Sequence, residues 1–169
     1  MINIKVDNRD VLVAMRQLSD KTSNLANVLE DIGEHLTETT KRRFDTSTAP
    51  DGSKWSDNTH TTILNYIGEF KDSYTKKGNL SKAGSGRIAS KKPLVGKTKD
   101  LMILINPKVH GNNSVEIGSP TPYAAIQQFG GRKSEFAHLW GDIPARPFLG
   151  ISDDDRRDIL DMLAEYLTL

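Results

Sequence analysis

The chain of 169 residues contains no cysteine, which excludes disulfides, a thiolate nucleophile and cysteine-ligated metal sites. No apolar run approaches the roughly 20 residues that a membrane-spanning helix needs. The opening residues lack the charged-then-apolar pattern of a signal peptide, so no export is predicted. These absences favour a protein without a membrane partner that is assembled in a reducing cytoplasm.

Acidic side chains are nearly missing from one segment, residues 71–99. The segment holds nine Lys/Arg against the single acid Asp72, a net charge of +8, whereas the whole chain is +1 and the remainder is therefore −7. Residues 71–96 are also rich in Gly and Ser without periodicity, so we expect a flexible basic insertion. Candidate contacts for a polyanion, including transient contact with DNA, are Lys76, Lys77, Lys91 and Lys92.

Hydrophobic periodicity predicts most of the remaining elements. Alternation over residues 2–6 indicates a strand, and helical spacing predicts a short helix over 11–18 and a longer one from Leu25 to Phe44. A further short helix is predicted from about Thr61 to Phe70. The turn Gly111-Asn112-Asn113 predicts a hairpin, entered through Ile103, Ile105 and Val109 and left through Val115 and Ile117.

Two more helices are predicted near the C-terminus. One starts at Pro122, ends at Gly130-Gly131 and carries Tyr123, Ile126 and Phe129, which we interpret as core residues. The other is opened by Ser152 and the acids that follow it. The whole chain, 1–169, is predicted to be a single α+β domain, with a small, mainly antiparallel sheet packed by helices and the flexible basic insertion at about 71–96.

No catalytic, cofactor or metal site emerges from the sequence. The four histidines lie 25, 50 and 28 residues apart, which matches no zinc motif. The acids in "SDDDR", Ser152 to Arg156, are adjacent, whereas helical ligands need spacings of three or four. We therefore predict no catalysis, no cofactor and no metal.

Three motifs in order carry a family resemblance: "TKRRFDTSTAPDGSKW" from Thr40, "PYAAIQQFGG" from Pro122 and "IPARPFLGIS" from Ile143. With these motifs the chain resembles the phage virion morphogenesis family, the tail completion proteins of Mu-like and related contractile-tailed phages. The resemblance implies a structural, non-enzymatic component of the virion neck or tail that completes the tail or joins it to the head. It also implies a homo-oligomeric ring, expected to be hexameric, whose partners are the tail tube or the head-neck connector proteins.

The prolines of "IPARPFLGIS" fix the backbone and remove two donors, which predicts an edge strand or extended arm. Phe148, Leu149 and Ile151 are expected to enter the core, and Arg146 to reach a carboxylate or carbonyl of a neighbouring subunit. Candidate subunit-interface residues are Arg146, Pro144, Pro147 and Phe148. In the loop at 45–60, Trp55 is the candidate anchor.

Two other functions stay open at this level. The first is a nucleic-acid-binding module that uses the basic segment 71–99, although its single aromatic residue, Tyr74, serves base stacking poorly. The second is a small hydrolase whose site is assembled only in three dimensions.

Overall fold

The computed structural model describes Arg16, Gln17, Asp20, Leu139 and residues 25–137 and 141–168. The predicted strand over 2–6 lies outside these residues, as does nearly all of the helix predicted over 11–18. The described elements are, in chain order, α1 (Ala26–Thr46), α2 (His60–Gly68), α3 (Lys82–Ser90), α4 (Asp100–Ile103), β1 (Asn106–His110), β2 (Ser114–Gly118), α5 (Ala124–Phe129) and α6 (Asp153–Thr168).

Helix α1 is the longest described element and confirms the helix predicted between Leu25 and Phe44. It buries Val28, Ile32 and Leu36, which recur every fourth residue and so share one face. The helix ends where Ser47 adopts a left-handed conformation with φ 55° and donates its backbone N–H to the Arg43 carbonyl.

The hairpin of β1 and β2 is antiparallel, with Pro107 opposite Ile117, and turns at residues 111–113 as the sequence predicts. It lies directly on α1, since a Cβ added at Gly33 would come within 2.7 Å of the Pro107 Cβ. The predicted entry through Ile103 is wrong. Ile103 ends α4, which follows the left-handed Lys99 (φ 58°), and its side chain is exposed.

The core consists of two clusters joined by α1. One surrounds Phe44, Trp55 and Phe148, and the other places Ile159 and Leu163 of α6 against the buried face of α1. A two-stranded antiparallel sheet packed by helices confirms the predicted α+β class.

The segment 71–99, here called the basic unit, contains regular structure, whereas the flexibility expected of residues 71–96 stays a prediction. Tyr74 and Leu80 form a β-bridge, and the Ser81 hydroxyl caps α3 by accepting from the Gly84 N–H at 3.0 Å. Gly84 packs so tightly that an added Cβ would lie 2.3 Å from the Ser73 carbonyl oxygen. Cation–π contact adds to this, with the Arg87 guanidinium 4.4 Å from the ring centre of Phe70.

Candidate assembly site

The segment 143–152, here called the strap, lies outside the helices and strands and contacts α1, the loop at 47–57 and α5. Its one described bridge pairs Ile143 with Gly131. This fits the arm predicted from its two prolines, because a proline has no backbone N–H that could donate a hydrogen bond to a neighbouring strand. The strap is instead held by side chains from distant parts of the sequence.

Arg146 is bonded within its own chain. Its Nε donates to the Ser56 carbonyl and its Nη2 to the Asp57 carbonyl, both at 2.8 Å, and only 7% of the residue is exposed. Burial lowers the pKa of Arg146, partly offset by the nearby charge of Asp57. The carbonyl acceptors that the sequence led us to expect on a neighbouring subunit therefore belong to the chain's own loop. A contact across a subunit boundary stays a prediction for this residue.

Trp55 is buried in the core, the position expected of a residue that anchors the 45–60 loop. Its ring is 5% exposed and meets Phe44 edge-on, with centroids 5.4 Å apart, while its Nε1 donates to the Pro147 carbonyl at 2.8 Å. Phe148 is completely buried beside Phe44, with ring centroids 5.5 Å apart. In this fold Phe148 therefore holds the strap to the core rather than facing outward, whereas Pro144 and Pro147 are half-buried.

Gln128 of α5 is a strap contact that sequence reasoning missed. Its Oε1 accepts from the N–H groups of Phe148 and Leu149 at 2.9 and 3.0 Å, and its Nε2 donates to the Leu149 carbonyl at 2.9 Å. One amide side chain thus satisfies three backbone groups, as a paired strand would. The "QQ" pair within "PYAAIQQFGG" is the sequence signal that could have indicated this contact. A half-buried amide side chain on a helix needs hydrogen-bond partners.

Arg43 and Asp155 form a buried ion pair at the end of the strap, with side chains 8% and 2% exposed. Arg43 Nη1 also donates to the carbonyls of Phe148 and Gly150, at 3.0 and 2.8 Å. Asp155 accepts from the Ser152 N–H at 2.8 Å, and the Ser152 hydroxyl accepts from the Asp155 N–H at 3.1 Å. The reciprocal bonds are a capping box that starts α6 and fixes the pair.

The pKa values of this pair follow from burial and hydrogen bonding. Burial alone raises the pKa of Asp155, but hydrogen bonds from Ser152 and Thr39 and the charge of Arg43 outweigh it and hold the pKa below its ordinary value. Burial lowers the pKa of Arg43, and Asp155 opposes that shift. Sequence analysis interpreted Asp155 only as a helix-starting acid, because its partner lies 112 residues away.

Two glycines allow the strap to lie close to the body. Gly130 has φ 75°, and a Cβ there would come within 2.8 Å of the Ala145 backbone nitrogen. A Cβ at Gly150 would come within 2.7 Å of Pro50 Cγ. The three motifs named above therefore meet at one place: the first supplies Arg43, Pro50 and Trp55, the second Gln128 and Gly130, and the third the strap.

Two predicted core residues lie on the surface beside this network. Phe129 is 77% exposed and Ile151 is 57% exposed, which corrects the expectation that both enter the core; a third predicted core residue, Tyr123, is also exposed, at 43%. Phe129 borders a shallow depression that Pro144 and Ala145 also line. Pro144 also lines a second depression, a groove with a volume of about 820 Å³. The outer edge of the strap therefore presents an apolar patch, which we call the strap patch: Phe129, Pro144 and Ala145.

The candidate polyanion contacts divide into two pairs. Lys76 and Lys77 are exposed in the turn before α3. Lys92 Nζ donates to the Asp45 carbonyl at 2.9 Å, and Lys91 Nζ donates to the Val95 carbonyl and lies 4.9 Å from the ring centre of Tyr66. Burial lowers the pKa of Lys91, with Glu69 opposing. Both Lys91 and Lys92 therefore hold the basic unit in place.

No group of three or more His, Asp or Glu residues that could hold a metal ion occurs among the residues that the structure describes. Within the same residues, no helix has the length and apolar character needed to cross a membrane.

Comparison with known proteins identifies the class to which this fold and strap belong. The chain matches the phage virion morphogenesis family over residues 6–168 and belongs to that family. Its role is therefore in building a phage virion.

The chain is also similar to a curated protein over part of its length. The chain is 40% identical over 83 residues to the "Mu-like prophage FluMu G protein 2" of Haemophilus influenzae (strain ATCC 51907 / DSM 11121 / KW20 / Rd), which covers 49% of this chain and 57% of the relative. The match thus spans about half of each protein. No solved structure matches this chain.

Proposed function

We propose that the protein is a structural component of the phage neck and that it completes the tail or joins it to the head. In this role it forms a homo-oligomeric ring, which we expect to be hexameric. Membership of the virion morphogenesis family over nearly the whole chain is the observation that carries this proposal. In this role the protein is not an enzyme, its neighbours are the tail tube or the connector proteins, and its place is the neck of the virion.

The arrangement of the motifs supports a scaffolding role. The residues that carry the family resemblance bond and pack to one another, as Arg43, Gln128 and Trp55 do on the strap. The network fixes the course of the strap and leaves the strap patch exposed at its edge. A rigid arm with an apolar edge suits contact with an identical neighbour in a closed ring.

The structure gives the nucleic-acid alternative little support. Two of its four candidate lysines, Lys91 and Lys92, bond to backbone carbonyls within the chain. The basic unit offers only one aromatic residue for base stacking, Tyr74, which serves single-stranded nucleic acid poorly.

Disruption of the gene in an inducible phage tests the proposal. Electron microscopy of the lysate should show full heads separate from tails, and a wild-type copy in trans should restore joined virions. Intact, infectious virions from the disrupted phage would overturn the proposed role.

Point variants then test the strap patch. Phe129→Ser should fold but fail to restore joined virions, whereas Ile151→Ser, at another exposed apolar site outside the patch, should restore them. Equal restoration by both variants would remove the strap patch from the proposed interface.

A further inference from the structure

The chain presents two exposed surfaces of opposite charge. The first lies on the basic unit, whose exposed lysines are free to project because the unit is held to the body by other residues, including Arg87 and Lys92. We call this the basic surface: Lys71, Lys76, Lys77, Lys82 and Lys99, all exposed.

The second surface lies on α1 and α6. On α1 the exposed acids alternate with the buried residues Val28, Ile32 and Leu36 and so face away from them. On α6 three acids recur with the i, i+3 and i+7 spacing of a single helical face. We call this the acidic surface: Glu30, Asp31 and Glu34 of α1 and Asp158, Asp161 and Glu165 of α6, all exposed.

His35 joins the two halves of the acidic surface. Its Nε2 lies 3.2 Å from Asp158 Oδ2, across the boundary between α1 and α6. The helices run antiparallel, since Asp155 pairs with Arg43 near the end of α1, while Met162 and Tyr166 pack with the apolar cluster near its start. The later acids of α6 therefore lie toward the same end of the pair as Glu30.

The basic unit is attached to the body at the end of α1 that lies away from Glu30. Lys92 fixes the basic unit to the Asp45 carbonyl at the C-terminal end of α1. Glu30 lies fifteen residues earlier on that helix, which at 1.5 Å per residue is about 22 Å. This exceeds twice the Debye length of about 8–10 Å at ordinary salt concentrations. The attachment point of the basic unit and the Glu30 end of the acidic surface are therefore screened from each other, which leaves both free to contact another molecule.

We infer that the basic surface of one copy docks on the acidic surface of the next copy, head to tail. The inference rests on the proposed ring and specifies the charged part of its subunit contact. Two unlike surfaces on different elements of one domain give a heterologous contact, which closes into a ring when the rotation permits. A second copy is favoured over DNA because the chain itself supplies the matching negative surface, whereas DNA would leave the acidic surface unsatisfied.

Two charge-reversed variants test the contact. The first is Lys76→Glu/Lys77→Glu on the basic surface, and the second is Glu30→Lys/Glu34→Lys on the acidic surface. The control, Lys108→Glu/Lys133→Glu, makes the same charge change at exposed lysines outside the basic unit. Sedimentation equilibrium measures self-association of each purified protein at low salt and at about 1 M salt, where the Debye length falls to about 3 Å.

The wild type and the control should associate at low salt and dissociate at high salt, and each reversed variant should associate at least about tenfold more weakly. An equimolar mixture of the two reversed variants should recover wild-type association. In the mixture the reversed, negative surface of one variant can again meet the reversed, positive surface of the other. Circular dichroism should show both variants folded.

Three results would overturn the inference: wild-type protein that stays monomeric at low salt, reversed variants that associate as the wild type does, or a mixture that fails to recover association. Tight, salt-dependent binding of duplex DNA that Lys76→Glu/Lys77→Glu abolishes, with self-association unchanged, would assign the basic surface to nucleic acid. Gene disruption tests the neck role separately. If the disrupted phage gives unjoined tails and any of the results above is also obtained, the charged contact is overturned and the neck role is not.

Discussion

The strap and the basic unit both lack hydrophobic periodicity in the sequence, yet the protein holds them in different ways. The strap is fixed by side chains about 20 to 110 positions away, including Gln128, Trp55 and Arg43. Residues 72–90 of the basic unit are fixed mainly by neighbours in sequence, through contacts such as the Ser81 cap and the Arg87–Asp72 ion pair. Distant contacts form only when the whole domain folds, whereas local contacts open separately. The strap should therefore share the stability of the core, and the basic unit should be the less stable region.

The largest loss of stability is expected for Trp55→Ala. Truncation of a buried aromatic residue costs about 3–5 kcal/mol, and this one also removes the hydrogen bond to the Pro147 carbonyl. Chemical denaturation followed by circular dichroism measures the change. A loss below about 1 kcal/mol, the range of surface substitutions and weak contacts, would show that the indole does not anchor the loop.

Asp155→Asn should destabilise the protein by about 3 kcal/mol, because it leaves the buried Arg43 guanidinium without its counter-charge. The loss is expected at the lower end of the range for broken buried pairs, since asparagine can still accept from the Ser152 N–H. Asp153→Asn, at an exposed acid in the same helical turn, is the matched control and should change stability little.

The pH dependence of this pair has a defined sign. The pKa of Asp155 is lower in the folded protein than in the unfolded chain, where it is about 3.9. Its contribution is therefore complete above that unfolded value and is lost as the pH falls through the folded pKa. The stability gap between wild type and Asp155→Asn should narrow as the pH is lowered below about 4, in denaturant titrations at a series of pH values. A constant gap would contradict the assignment.

Arg146→Lys should cost about 1.5–3 kcal/mol, the range for hydrogen bonds that involve a charged group. Lysine cannot reproduce the two bonds that the arginine fork makes to the Ser56 and Asp57 carbonyls. Thermal unfolding measures the loss. A variant as stable as wild type that nevertheless fails to form joined virions would return Arg146 to the subunit interface.

The smallest effect is expected in the basic unit. Arg87→Met removes the ion pair with the exposed Asp72 and the cation–π contact with Phe70, so it should lower the global stability only slightly. Limited proteolysis should then cut residues 71–96 faster, while the global unfolding midpoint changes little. A loss as large as that of Asp155→Asn would mean that the basic unit unfolds with the core.

The sequence was sufficient for elements with clear periodicity or turn chemistry. Helix α1 and the turn at Gly111 are examples, because spacing and glycine content are local properties. It misplaced Ile103, since the left-handed Lys99 starts a short helix that no local pattern marks. It also missed α3, whose Gly-rich sequence is stabilised by packing on Ser73 and Phe70 rather than by helix propensity.

The network at the strap could be predicted only in part. Two prolines predicted an extended arm, and the single tryptophan of the 45–60 loop predicted an anchor, because each prediction reflects a property of individual residues. The partners of Arg146, Gln128 and Asp155 depend on which distant segments meet, and no spacing in the sequence encodes that. Phe129 has the apolar character of a core residue, and only the fold shows that it faces outward.

Native-state hydrogen exchange tests the contrast between the strap and the basic unit most directly. The amides of Arg146, Phe148 and Leu149, which donate to Gln127 and Gln128, should exchange only through global unfolding, as slowly as the central amides of α1. Amides of α3 should exchange at least about a hundredfold faster, through local opening. Strap amides that exchange as fast as those of α3 would contradict the account, because the three motifs would then not form one cooperative structure.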